Sequence, residues 1–292
     1  MIKKLLLFAL MALPLSLSAQ EELVAEKIAG NVYMIPGGGG NIGVCIGEDG
    51  TFMIDDQFAD RNEAIMNAIK KAGGGEVQFL VNTHFHHDHT SGNEILGEAG
   101  SVIFAHENVR KRLSMEQVID YTGMKKDALA KVGLPVVTFT HDITFHYNND
   151  EIEVVHLGPA HTDGDAVVNF TKANVIHCGD IFFESIYPFV DLQNGGSVKG
   201  MIDAVDTIID MCNPETKLIP GHGAVTDYDG LIAYRAMLTT VYERVKKMVG
   251  EGKTLEDIIA SQPTAEYDEK LDNTFTPKDK FIGFIYQELT AK

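Results

Sequence analysis

Three cysteines in 292 residues, Cys45, Cys178 and Cys212, cannot all pair with one another and show no C-x-x-C spacing. That excludes a disulfide framework and a cysteine zinc cage. Basic residues are also scarce, with 24 lysines and arginines against 42 aspartates and glutamates, a formal charge of −18. A nucleic-acid surface needs a basic face to release counterions, and a polybasic membrane patch needs clustered cations, so neither partner is expected. Beyond the first seventeen residues no apolar run approaches the roughly 20 residues that span a bilayer. What remains is ordinary for a folded protein, 45% hydrophobic and 23% charged, in a chain long enough to bury a sizeable core without covalent staples.

The chain starts with a basic Met1-Ile2-Lys3-Lys4, followed by an apolar run from Leu5 to Leu17 and then Ser18-Ala19-Gln20. This is the order of a secretory signal peptide, a charged start, an apolar stretch and small residues at a cleavage point. Residues 1–19 therefore read as a leader and residues 20–292 as one mature domain. The expected location is a bacterial periplasm or the exterior, with no stable membrane anchoring once the leader is cleaved.

The mature part alternates short apolar runs with glycine-rich turns, a mixed α/β pattern. Strands are expected at Asn31–Ile35, Asn41–Ile46, Thr51–Ile54, Val77–Val81, Ser101–Ala105, Ile143–Tyr147, Glu151–His156, Ala166–Phe170 and Asn174–Cys178. A helix is expected from Arg61 to Ala72, opened by a capping-box pair, Asp60 and Glu63. Residues 198–212 keep a 3/4 apolar spacing up to Pro214, and a longer helix runs through Leu231, Leu238 and Val245 to Gly250. Thr254 and Asp257 open another helix, and Phe281–Leu289 form a last one. Residues 107–140 read as helical and as bordering the functional site.

The histidines carry the functional signal. His84-Phe85-His86-His87-Asp88-His89 follows the Val77–Val81 strand directly. At a strand end, residues i and i+2 project to one side, so His84 and His86 can grip one ion. As the chain turns, Asp88 and His89 can face a second. Imidazole and carboxylate suit Zn²⁺ better than Ca²⁺ or Mg²⁺. Further donors are available at His161, Asp180 and His222, each in a loop beside a strand and flanked by glycine or proline.

This order, H-x-H-x-D-H followed by His, Asp and His, resembles the metallo-β-lactamase superfamily over about Asn31 to Asp227. The resemblance implies an αββα sandwich of two mixed β-sheets flanked by helices, with two zinc ions at one edge. It implies that His84, His86 and His161 hold the first ion, Asp88, His89 and His222 the second, and that Asp180 bridges them. The histidine at 89 and the retained Asp180 are similar to third-subclass lactamases, glyoxalase II enzymes and many lactonases. The implied activity is hydrolysis of a small-molecule substrate, in which a metal-bridging hydroxide, oriented by Asp88, attacks a cyclic amide or ester carbonyl. Lactone opening and thioester cleavage use the same site. An iron-dependent sulfur or oxygen oxidoreductase and a non-catalytic metal-binding protein are the alternatives of other classes. The RNA-cleaving branch is opposed by the acidic charge.

Asp55 is similar to the family's outer carboxylate that fixes a ligand imidazole, and reads equally well as a turn-starting aspartate. Cys178 reads as a small buried strand residue whose side chain could approach the site. Phe182, Phe183, Ile186, Tyr187 and Pro188 read either as a substrate wall or as core. His87, His106, His141 and His146 have no ligand spacing, and His156 and His177 read as packed strand residues. The substrate, the oligomeric state and the roles of Cys178 and of residues 107–140 are not fixed at this level.

Overall fold

The structure is a computed structural model that describes residues 22–119 and 124–291. The leader expected at 1–19 lies outside the described residues. The first sheet takes in β1 (Glu26–Ala29), β2 (Val32–Ile35), β3 (Ile42–Gly47), β4 (Gly50–Ile54), β5 (Val77–Val81) and β6 (Val102–His106). A separate hairpin, β7 (Gln117–Ile119) and β8 (Met124–Lys126), precedes its last strand, β9 (Val137–Phe139). The spatial order is β1-β2-β3-β4-β5-β6-β9, antiparallel as far as β4 and parallel from β4 onward. The second sheet runs β10 (Asp142–Tyr147), β11 (Asp150–His156), β12 (Ala166–Phe170), β13 (Val175–His177), β14 (Lys217–Ile219) and β15 (Thr226–Asp227) in sequence order. Only β13 and β14 pair in parallel there.

Turn chemistry sets these registers. Asn148 and Asn149 both adopt positive φ, 52° and 59°, the two-residue turn that matches strand twist and that asparagine tolerates. Tyr147 therefore faces Asp150 across the β10–β11 hairpin. The Asn148 amide then donates to the carbonyls of Cys45 and Gly50, tying the second sheet to the first.

Three apolar layers follow from alternating burial. Between the sheets, Phe52, Ile54, Val81 and Phe104 meet Val154, Val168, Phe170 and Val175. Phe52 is fully buried and packs edge-on to Phe145 at 5.0 Å, a geometry that adds to simple area burial. Outside the first sheet lie α1 (Asn62–Lys71), the single turn α2 (His87–Thr90), α3 (Asn93–Glu98) and α4 (Glu107–Leu113). There Ile65, Ala68, Ile69 and Leu96 cover Ile42, Val44 and Leu80. Outside the second sheet lie α5 (Val198–Met211), α6 (Tyr228–Gly250), α7 (Leu255–Ala260), α8 (Ala265–Leu271) and α9 (Lys278–Thr290). Val205, Ile208, Leu238, Val241 and Phe281 form that third layer over Val167, Ile176 and Leu218. Two mixed sheets flanked by helices are what the resemblance implied, where the sequence pattern alone indicated mixed α/β.

Some local expectations are corrected. Among the described residues of the 107–140 stretch, only Glu107–Leu113 is α-helical. The β7–β8 hairpin, a 3₁₀ turn at Lys131–Gly133 and β9 follow it, because the apolar residues there are spaced for short edges, not for a helical face. Asp60 and Glu63 form no capping box, since Asp60 falls in a 3₁₀ turn, Ala59–Arg61, and α1 starts without a side-chain cap. The box at Thr254 and Asp257 is formed. Strands β1, β14 and β15, of two to four residues, escape detection because they are too short to show a period. Among the described residues no helix is long and apolar enough to cross a membrane.

Candidate metal centre

The parallel parts of both sheets end at the same edge. β4 ends at Ile54, opposite Val81 at the end of β5, and the Asp55 N–H donates to the Val81 carbonyl at 2.9 Å. The chain then turns outward through Asn82, Thr83 and His84 into α2. In the second sheet β13 and β14 end side by side at His177 and Ile219, releasing the Asp180 and His222 loops. The loop between β11 and β12 carries His161. Two links close the edge: the Ala166 N–H donates to the Thr83 carbonyl at 2.8 Å, and the Asn41 N–H to the Gly221 carbonyl at 2.7 Å.

Seven side chains from four segments converge. The donor atoms of His84, His86, His161 and Asp180 lie within 4.8 Å of one another, as do those of Asp88, His89 and His222. Asp180 stands between the groups. Its Oδ2 is 3.4 Å from His161 Nε2, 3.7 Å from His84 Nε2 and 3.4 Å from His222 Nε2. Its Oδ1 is 3.2 Å from His89 Nε2. Asp88 Oδ2 lies 3.4 Å from His222 Nε2 and 3.7 Å from His89 Nε2.

The outer partners fix the tautomers. His161 Nδ1 donates to the Phe189 carbonyl at 2.8 Å, and His86 Nε2 donates to Asp191 Oδ2 at 2.9 Å. His89 Nδ1 donates to Asp55 Oδ2 at 2.8 Å. The Thr83 hydroxyl gives its proton to Asp55 at 2.7 Å and so receives one from His84 Nδ1 at 3.0 Å. A neutral imidazole has one N–H, so each of these four has spent it outward. His86 Nδ1 and His161 Nε2 then turn lone pairs on each other at 2.8 Å, a repulsive contact unless a cation lies between. His84 Nε2, His89 Nε2 and Asp180 Oδ1 are buried with no hydrogen-bond partner, against the general rule that buried polar atoms are satisfied. A set of unspent nitrogen and carboxylate donors with outward N–H groups fixed is what divalent zinc takes. The residues fit the group that the resemblance implied.

Electrostatics separate the histidines. Burial holds His84 well below the usual imidazole value and His161 down to about 4. Burial also disfavours charge on His89 and His222, but the Asp180 and Asp88 carboxylates overcome it. They hold His89 well above 6.5 and raise His222 to about 9. In the metal-free protein the His222 pairing therefore stabilises the fold fully below about pH 6.5 and is lost as pH rises through about 9. Metal loading needs both imidazoles neutral. Zinc binding near pH 7 is thus expected to release about two protons per chain, readable by calorimetry in buffers of differing ionisation enthalpy. Binding without proton release would contradict this charge assignment.

Close approach demands glycine at two points. A Cβ on Gly40 would stand 2.1 Å from His89 Cε1, and one on Gly221 2.0 Å from Asp180 Oδ1.

Asp55 is fully buried and adopts φ of 58°, an uncommon conformation outside glycine. It holds the Thr83 N–H at 2.7 Å as well as His89, so the outer-carboxylate reading describes its contacts. Cys178 is a small buried residue, as the first of its two readings had it: its thiol lies in the layer beneath the helices, and the chain turns at Gly179, with φ of 51°, before Asp180. Phe182 and Tyr187 are core residues, while Phe183 stacks on His222 at 5.5 Å with planes 5° apart. The His87 ring packs on Phe58. His156 stacks on His106 at 3.8 Å, and His177 bonds the Asn41 carbonyl. The N-terminus of α5 is closed by Ser197 and the Glu288 carboxylate.

Sequence reasoning missed a second support. Arg112 of α4 donates to both oxygens of Asp163 at 2.7 and 2.6 Å and to Asn194 Oδ1 at 2.5 Å. Asn194 Nδ2 in turn donates to Asp191 Oδ2 at 2.8 Å, the carboxylate that holds His86. No spacing in the chain links residues 112, 163, 191 and 194, so no local signal could reveal them. Asp191→Ala is expected to weaken zinc affinity about 10–100-fold, the usual effect of losing an outer partner, measured by chelator competition. An unchanged affinity would show that His86 needs no such anchor.

Residues 35–231 match the family model described as Metallo-beta-lactamase superfamily. A hydroxyacylglutathione hydrolase of Polaromonas sp. is 26% identical over 213 residues, 71% of this chain and 70% of that protein. Among solved structures, a metallo-beta-lactamase from Pontibacter korlensis is similar with a TM-score of 0.61 and 19% identity, over 74% of this chain and 99% of that one. The stereoselective inverting sec-alkylsulfatase from Pseudomonas sp. gives a TM-score of 0.72 at 16% identity, over 92% of this chain but 50% of its own. The two structural likenesses speak to the fold.

Proposed function

The chain belongs to the metallo-beta-lactamase superfamily, and from that premise we propose that this hydrolase is an exported, dinuclear-zinc enzyme that opens a cyclic amide or ester, as a β-lactamase does. His84, His86 and His161 would hold one ion, Asp88, His89 and His222 the other, with Asp180 shared. One observation carries the proposal: His84, His86, His89 and His161 each have one ring nitrogen anchored outward, and their other nitrogens face a common space in which His84 Nε2, His89 Nε2 and Asp180 Oδ1 are buried without a hydrogen-bond partner. Zinc bound there would supply Lewis-acid polarisation of the carbonyl and activation of water at neutral pH.

The chain's own groups do the positioning. Burial would raise the Asp88 carboxyl, but the His89 charge and the hydrogen bond from His222 hold it well below the usual range. Asp88 therefore stays an acceptor and can orient a water proton with an oxygen. Asp55 and Asp191 keep the His89 and His86 rings in place. Leu113, Val118 and Leu129 line an apolar cleft above the donors, which limits competing water. We take residues 1–19 as the export leader and 20–292 as one hydrolase domain, on the basic start and the apolar Leu5–Leu17 run.

Thioester cleavage is the second reading, supported by the hydroxyacylglutathione hydrolase relative and by the retained Asp180. The test is turnover of a chromogenic cephalosporin, a lactone and a thioester by purified protein, with and without chelator, alongside metal analysis. Chelator-sensitive turnover of the cephalosporin is the expected result. Turnover of the thioester alone would replace the first reading with the second. Bound iron, or no turnover of any substrate, would set aside zinc hydrolysis.

A further inference from the structure

A cleft lies directly over the donor cluster, with His86, Asp88, His161, Asp180 and His222 among its lining residues. Its walls are largely apolar, formed by Phe85, Leu113, Val118, Leu129, Phe189 and Phe275. Lys126 of β8 is the sole lysine or arginine among the described residues lining it. Neighbouring side chains on a strand point to opposite sides, and the hairpin shows the consequence. Lys125 turns outward and pairs with Glu116 at 2.7 Å. Lys126 turns into the cleft and is half-buried, and burial presses its ammonium below the ordinary lysine value. Among the described residues Lys126 forms no ion pair, and a ligand anion would give the half-buried ammonium one. In a chain of net charge −18, with Asp88, Asp127 and Asp191 lining the same cleft, one inward cation is a selective feature, not part of a general basic surface.

We propose that the cleft selects an amphipathic carboxylate, its anion held by Lys126 and its apolar body laid along Leu113, Val118 and Phe275. Lys126 is then a specificity-determining residue. The word substrate rests on the hydrolase reading above, whereas the binding preference does not. It can be tested without turnover.

The experiment is calorimetric titration of the zinc-loaded full chain with 6-phenylhexanoate and with its neutral counterpart, 6-phenylhexan-1-ol. Wild type is expected to prefer the carboxylate. Lys126→Gln should weaken carboxylate binding about tenfold, the loss of a charge-assisted hydrogen bond, and leave alcohol binding unchanged. Lys126→Arg should retain most of the carboxylate affinity. Ligation of the carboxylate by zinc alone would give an affinity that Lys126→Gln does not change, and that overturns the proposal. So would equal affinity for the two probes, or no detectable binding of the carboxylate. A protein that binds as expected but hydrolyses nothing would leave this inference standing and remove the hydrolase reading instead.

Discussion

Asp180→Asn is expected to lower turnover on the order of 10²–10³-fold and to reduce bound zinc from two ions to one or none, with the fold retained. The variant is close in shape, so the effect is one of charge. Asp180 is nearly fully buried, yet it stays ionised. Burial would raise its pKa, and the imidazoles of His89, His222, His84 and His161 together hold it well below the usual carboxylate range. An amide offers those rings no counter-charge and cannot share two anionic oxygens between two cations. Zinc content by elemental analysis and turnover on the reactive substrate of the panel check this together. Full zinc content with undiminished turnover would remove Asp180 from the shared position.

Gly221→Ala is expected to do comparable damage from outside the donor set. The added methyl would stand 2.0 Å from Asp180 Oδ1 and 2.7 Å from the Gly179 backbone. The Gly179 carbonyl accepts from the Gly221 N–H at 2.8 Å, so the two loops cannot separate without losing that bond. Either the carboxylate rotates away from His89 or the backbone shifts, at about 1–3 kcal/mol for an overpacked site. The expected result is a lower melting temperature together with weaker zinc binding. Gly283→Ala is the control, because nothing lies within 4 Å of its added carbon in α9 and a helix interior favours alanine over glycine. It should leave zinc binding intact and stability equal or slightly higher. A Gly221→Ala protein that binds two zinc ions as wild type does would contradict the packing at this edge.

Much of the candidate centre was readable because its residues announce themselves chemically. His84, His86, Asp88 and His89 sit in one short segment after a buried strand. His161, Asp180 and His222 are marked by glycine or proline beside strand ends, where sharp turns are needed. The resemblance ordered these residues into two groups, and the fold brings all seven together. The mixed α/β reading rests on clear periods in strands such as β10 and β11 and in helices such as α5, and the two mixed sheets flanked by helices, which the resemblance implied, are borne out. What escaped notice has a common physical origin. Asp191 and Arg112 act through tertiary contacts between residues tens of positions apart, which no local period encodes. The 107–140 segment misled because one true helical turn region, Glu107–Leu113, is followed by edges too short to establish alternation. Cys178 was legible as a small buried residue, and the turn at Gly179 separates its thiol from the Asp180 carboxylate.

The most direct measurement is the zinc stoichiometry of the purified, folded chain after loading and dialysis, compared with a His86→Ala, His89→Ala double variant that removes one donor from each group. The account predicts two ions per wild-type chain, weakened binding at both positions in the variant, and an unchanged far-ultraviolet circular dichroism spectrum. A folded wild-type chain that retains no zinc, or a variant that retains both ions with undiminished affinity, would contradict it.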